Sequence, residues 1–347
     1  MKKKYLILSL IITTAFTLCS CSMQSSSKSS PLSKTEFLMG TTVSVSLYDN
    51  KKEDILNKSF QKIKEIENEI SINKNGTELD KINNLSGKEK VNAKNTTYDI
   101  IKKGLYYSEQ SKGSFDITIG PLVKLWSIGL PEEKLPTNKE IDEKKTLINY
   151  KDLEINDSSH SVYLKKPGMI IDLGGIAKGY TADEVIKILN ENNVKSALVD
   201  LGGNLFALGR NPKNNNPWKI GIQDPKNSRG KIVGSISVEN KSVVTSGIYE
   251  RYFEKDGIRY HHILNPFTGY PYNNELAGIS IVSNKSVDGD ALSTFIFSKG
   301  LNEGKKIIEK YDGVDAIFIT KDNKIYLTSG LKGNFTKTNE NYKLISE

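Results

Sequence analysis

The chain has 347 residues, enough for one large domain or two modest ones with a sizeable core. Its net charge is +8, but the excess is lysine scattered through Lys/Asn-rich loops. With no basic stripe interleaved with aromatics, this reads as a solvated surface helped by a nearby anionic membrane, and nucleic acid is excluded as a partner.

Lys2, Lys3 and Lys4 open a secretory signal, and +5 remains once they are removed. Tyr5 to Leu18 is an almost wholly apolar run of 14 residues, short of the ~20 that span a bilayer. Leu18-Cys19-Ser20-Cys21 resembles a bacterial lipobox cleaved before Cys21. Cys19 then leaves with the signal and Cys21 carries lipid; a Cys19–Cys21 disulfide has awkward geometry with one residue between. No other cysteine is present, so the rest of the chain has no disulfide, thiolate metal site or Cys nucleophile. The expected organisation is a signal peptide at 1–20, a flexible Ser/Lys-rich tether at 21–34 and a folded domain at 35–347. The expected location is the extracytoplasmic face of the bacterial cell membrane, held by lipid.

Along the domain, the stretch after Gly40 alternates like a strand to Leu47. Ile55, Phe60, Ile63, Ile66 and Ile70 recur at helical spacing over 54–70. A second helix is expected over roughly 97–110, with Ile100, Ile101, Leu105 and Tyr106 inward. Asp116 follows inside an apolar, strand-like or turn segment. A buried carboxylate there needs a partner or a function, and capping the next turn is the simpler role. Residues 131–160 read as a polar insertion or surface loop.

The organising stretch is Ile170-Ile171-Asp172-Leu173-Gly174-Gly175-Ile176-Ala177-Lys178-Gly179-Tyr180. It reads as a buried strand breaking at paired glycines into a helix marked by Ala182, Val185, Ile188 and Leu189. Such a junction aims unpaired N–H groups and a positive dipole end at one spot that suits an anion, phosphate above all. A plain tight turn is the alternative, and neither the Rossmann nor the Walker glycine pattern is present.

Further strands are expected at 197–206 (around Gly202-Gly203), 218–223, 232–238 and 242–247. The pair His261-His262 then precedes Ile263-Leu264-Asn265-Pro266. In Asp288-Gly289-Asp290-Ala291-Leu292-Ser293-Thr294, a helix would put Asp290 and Thr294 on one face with Ser293 beside them. Oxygen ligands suit a hard cation such as Mg²⁺, although either aspartate also suits an N-cap. A helix at 301–311 and a hairpin turning at Asp322-Asn323 close the chain.

Seven pieces occur in one order: Met39-Gly40-Thr41, Gly113 to Thr118 with Gly120-Pro121-Leu122, Asp172 to Gly179, Asp200 to Asn204, Thr245-Ser246-Gly247 with Tyr249 and Arg251, His262 to Pro266, and Asp290 to Thr294. Together they resemble the FAD:protein FMN transferases, the ApbE family, over roughly 35–329. The expected fold is α+β: a single catalytic domain of two packed sheet-and-helix lobes with a flavin cleft between them. The resemblance implies Mg²⁺-dependent transfer of FMN from FAD, the substrate, to a Thr or Ser hydroxyl of an extracytoplasmic protein, releasing AMP. The acceptor would be a subunit of a membrane redox complex or a surface flavoprotein.

By the same resemblance Met39, Ser114, Phe115, Asp116, Asp172, Lys178 and the backbone near Leu264 would contact FAD. Gly175 (through its carbonyl), Asp290, Ser293 and Thr294 would surround Mg²⁺, and His262 and Asp116 are the acid/base candidates. Asn265 stands where the family usually carries Asp. Two other functions share the site: FAD hydrolysis to FMN and AMP with water as nucleophile, and flavin binding by a surface lipoprotein without turnover.

Overall fold

In a computed structural model of the protein, residues 30–345 are described, and from Pro31 onward they form one compact unit. The expected signal peptide and Cys21 lie outside the described residues. The frame is a nine-stranded sheet whose spatial order follows the chain: Leu32–Leu38, Thr41–Leu47, Ala197–Leu201, Asn204–Leu208, Lys241–Gly247, Leu276–Ser283, Asp315–Thr320, Lys324–Leu327 and Lys343–Leu344. Neighbours run antiparallel except the last pair, which is parallel.

The first strand corrects the expected tether, since it begins at Leu32. Its partner across the ladder is Leu47, and Leu32 packs on an apolar cluster with Val43 and Val45. Burial of such side chains stabilises by about 1.5–3 kcal/mol each. The ordered domain therefore starts before residue 35.

Helix α1 (Glu53–Ile70) buries the predicted Ile55, Phe60, Ile63, Ile66 and Ile70. An insertion between the second and third strands carries α2 (Glu78–Asn84), α3 (Asn95–Gln110), α4 (Gly120–Trp126), α5 (Asn138–Lys145) and a small sheet. In α3 the inward ring is Tyr107, at 2% exposure, and Tyr106 is 44% exposed, reversing the expected assignment. Residues 131–160 contain α5 and the strand Leu153–Asn156, so they are more structured than a loop. The chain then returns through α6 (Ala177–Glu191), and α7 (Ser286–Ile308) follows the sixth strand. Gly300 breaks α7, with φ 70° and ψ −172°; the predicted 301–311 helix is the part beyond it.

Helices α1, α6 and α7 cover one face of the large sheet, where Val199, Leu201, Ile279 and Ile281 point. The sheet of Trp218–Gln223 and Ile232–Val238 shares a cluster with Val243, Val282 and Ile317 on the other face. The strand Leu276–Ser283 is buried at all eight positions between these layers. The fold is thus mixed α+β, as expected. One apolar cluster runs from Ile66 through Ile117 and Ile171 to Phe318 and ties the insertion to the large sheet.

Candidate functional site

The site is built where the central glycine turn meets the start of α7. Residues 170–173 form no strand, only an isolated bridge from Ile170 to Ile119. Their backbone groups are satisfied by side chain and loop. The N–H of Ile171 donates to Asn83 Oδ1 at 2.8 Å, Asn83 Nδ2 donates back to the Ile171 carbonyl, and the N–H of Asp172 donates to the Ile117 carbonyl. That anchoring brings the 113–120 segment against the turn. Phe115 lies over Gly175, where an added Cβ would stand 3.0 Å from its ring and 3.6 Å from Thr294 Oγ1.

Gly179 is required for a different reason. Its N–H donates to Asp290 Oδ2 at 2.8 Å, and a Cβ there would sit 2.7 Å from the Asp290 Cβ and against the Ser286 carbonyl. The close approach leaves Asp290 Oδ1 4.0 Å from Lys178 Nζ, and Lys178 also donates to the Gly174 carbonyl. Asp172 accepts the Gly174 N–H at 2.6 Å. Burial pushes its carboxyl above the usual range, opposed by that bond and by Arg251, Lys178 and Lys124.

His262 faces the same cations. Burial lowers its pKa to about 3, helped by Arg251, His261 and Lys178 and opposed by a hydrogen bond to the Arg251 backbone. Nδ1 lies 3.2 Å from the Arg251 carbonyl oxygen, an acceptor, so Nδ1 carries the proton and Nε2 keeps its lone pair. At neutral pH the imidazole of His262 is therefore uncharged.

His261 is buried, with Nε2 donating to the Tyr272 carbonyl and Nδ1 accepting the Ile263 N–H, and burial lowers its pKa to about 4. His261→Ala should destabilise the fold by about 1–3 kcal/mol by stranding those groups; a denaturant melt measures it. NMR of the labelled histidines should show neither imidazole titrating between pH 7.5 and 5. Since both folded values lie below the unfolded ~6.5, these rings contribute stability that is full above that pH and lost as pH falls towards 4 and 3.

The remaining predicted residues divide. Asp116 takes the capping role: Oδ1 accepts the N–H and hydroxyl of Thr118, and Oδ2 accepts the Tyr150 N–H. Burial raises its pKa against those bonds. Ser114 is buried, its hydroxyl donating to the Ser111 carbonyl and accepting from Ser298. Ser293 does not open onto the site; it is fully buried and bonded to Ser246 Oγ and the Asp290 carbonyl. Met39, at φ 52°, occupies the turn between the first two strands, with its N–H held by Glu67. Leu264 is buried beside Trp126. Asn265 Oδ1 accepts the Phe267 N–H, a turn-holding role that an amide fills as well as a carboxylate.

Sequence reasoning did not assign Asp183, which lies one helical turn beyond Gly179 and accepts the N–H groups of Ser286 and Val287. Its spacing from Gly179 was the available signal. Among the described residues no cluster of three His, Cys, Asp or Glu side chains could hold a metal. A hard cation that shares substrate phosphate needs only one or two carboxylates. Asp290 Oδ1, Thr294 Oγ1 and the side-chain-free space at Gly175 fit that requirement; Ser293 does not.

The model of the ApbE family matches residues 39–318, spanning this whole constellation. A protein named FAD:protein FMN transferase from Klebsiella pneumoniae (strain 342) is 36% identical, over 89% of this chain and 95% of its own. One of the same name from Treponema pallidum (strain Nichols) is 34% identical over 86% and 87%. The crystal structure of the ApbE protein from Thermotoga maritima superposes with a TM-score of 0.80 at 30% identity, over 88% of this chain and 99% of that one. From Met39 in the first turn to Phe318 in the seventh strand, through the glycine junction and the start of α7, the chain belongs to the ApbE family.

Proposed function

We propose that the protein is an FAD:protein FMN transferase acting on a Thr or Ser hydroxyl of an extracytoplasmic acceptor protein. The observation that carries this reading is the junction of α6 and α7, where Lys178 approaches Asp290 Oδ1 and donates to the Gly174 carbonyl, and Thr294 Oγ1 lies beside Gly175. The similarity to proteins of that name supports the same reaction.

FAD carries a diphosphate with two negative charges. Lys178, Arg251 and the N-terminal end of α6 supply positive potential for it, and the small glycines allow backbone approach. Asp290, Thr294 and the Gly175 backbone would hold Mg²⁺, which when bound supplies charge neutralisation on phosphate oxygens. The acceptor oxygen attacks the FMN-side phosphorus, the new P–O bond forms, and the bond to the bridging oxygen breaks with its electron pair leaving on AMP. His262 Nε2 takes the hydroxyl proton. An arriving diphosphate would offset the field of Arg251 and Lys178, which adds to burial, the larger cause, in holding the basicity of this ring low. Asp116 holds the 116–120 turn, its oxygens already engaged.

The test is incubation with FAD, Mg²⁺ and candidate extracytoplasmic proteins, followed by in-gel flavin fluorescence. A fluorescent acceptor band supports the reading; free FMN with no labelled protein would make the enzyme an FAD hydrolase. We further propose that the protein acts at the extracytoplasmic membrane face, anchored through Cys21. Cys21→Ala should abolish lipidation and membrane partition, and unchanged mass and partition would remove the anchor.

A further inference from the structure

The joint between α6 and α7 supports a step beyond the metal reading, on which it rests. Asp183, half-buried on α6, accepts the Ser286 N–H through Oδ1 at 2.9 Å and the Val287 N–H through Oδ2 at 3.0 Å. These are the first two residues of α7, whose N-cap Lys285 supplies no side-chain acceptor. In return Asp290 of α7 accepts the N–H of Gly179, in the first turn of α6, whose N-cap Ile176 also supplies none. Each helix caps the other with a carboxylate, the favourable sign at a helix N-terminus.

Asp183 and Gly179 are four residues apart on one face of α6, so both contacts act on the same stretch of α7. The first holds the start of α7; the second takes Asp290 Oδ2 and leaves Oδ1 towards Lys178. We propose that Asp183 is a positioning residue of the phosphate-and-metal site: by fixing the first turn of α7 on α6, it sets the direction in which Asp290 presents its second oxygen beside Thr294.

Other ties keep α7 docked when Asp183 is changed. Asp288 pairs with Lys103 at 2.7 Å and accepts from the Tyr107 hydroxyl, and Ser242 donates to Ser286 Oγ at 2.9 Å. The effect of Asp183→Ala is therefore local.

The experiment titrates Mn²⁺, an oxygen-seeking probe, into the FAD-loaded protein by EPR, and follows amide exchange in the metal-free protein. Asp183→Ala should weaken Mn²⁺ binding by about 10–100-fold, the usual cost of losing a group that orients a metal ligand. It should leave metal-free FAD affinity unchanged. It should also speed exchange of the Gly179 amide, on the other contact, because Asp290 no longer holds it. Leu189→Ala, a buried position on α6 in the α1-facing cluster, lowers the melting temperature and should leave Mn²⁺ affinity alone. Wild-type Mn²⁺ affinity and Gly179 protection in folded Asp183→Ala would overturn the proposal, as would an equal loss in Leu189→Ala. If Asp183→Ala does not fold, Asp183→Asn, which keeps one acceptor oxygen, is judged by the same criteria. If wild type and Asp290→Ala bind Mn²⁺ alike, the metal reading itself fails and this proposal falls with it.

Discussion

Asp290→Ala is expected to reduce flavin transfer by at least about 10²-fold while the protein stays folded. Two effects separate here. The carboxylate accepts the Gly179 N–H, so its removal also costs a helix cap, about 1 kcal/mol with a usual range of 0.5–2. A loss of that size shifts the melting temperature by a few degrees and leaves the native state dominant. The remaining deficit belongs to Oδ1, which faces Lys178. Thr294→Val, which removes one hydroxyl beside that space, should weaken activity less. Circular dichroism melts beside steady-state rates across a Mg²⁺ series would separate the effects, and a wild-type rate from Asp290→Ala in chelator would remove the cation from the reaction.

His262→Ala should lose transfer by about 10²–10⁴-fold, the usual worth of a general base, and retain FAD binding. The orientation of the ring carries this expectation: the Arg251 carbonyl fixes the proton on Nδ1 and leaves Nε2 as the acceptor. The resting pKa of about 3 is low for a base at neutral pH. The account therefore requires bound substrate to raise it, and the acid limb of kcat should lie above pH 3. Near-wild-type transfer by His262→Ala, or failure only because FAD no longer binds, would return the role to Asp116.

The parts legible in the sequence were those fixed by local chemistry. The apolar period of 54–70 announced α1, and the glycine-to-helix junction at 174–179 announced the start of α6. The parts that failed depended on distant partners. Ile170 and Ile171 look like a strand because they are apolar and β-branched, yet Asn83, 88 residues from Ile171, satisfies the Ile171 backbone in place of a ladder. The strand Leu276–Ser283 is buried on both faces and so lacks the alternation that marks a half-exposed strand. Tyr106 and Tyr107 are adjacent in the helical period, and only packing chooses between them.

Site residues show the same division. Asp290 and Thr294 share one face of α7, as their spacing suggested, whereas the approach of Lys178 to Asp290 exists only once two helices are brought together. Asp116 and Ser293 were indistinguishable in sequence from groups with free oxygens, but their hydrogen-bond partners engage them in holding the loop and the helix. The reciprocal caps of Asp183 and Asp290 exist only between helices that lie more than a hundred residues apart in the chain.

The most direct test of the central claim is a single-turnover reaction of purified protein with FAD, Mg²⁺ and an acceptor, with AMP and protein-bound flavin counted together. The account predicts one AMP released for each FMN attached through a Thr or Ser oxygen, with both falling together in Asp290→Ala and His262→Ala. AMP release matched by free FMN, with no flavin on the acceptor, would contradict it.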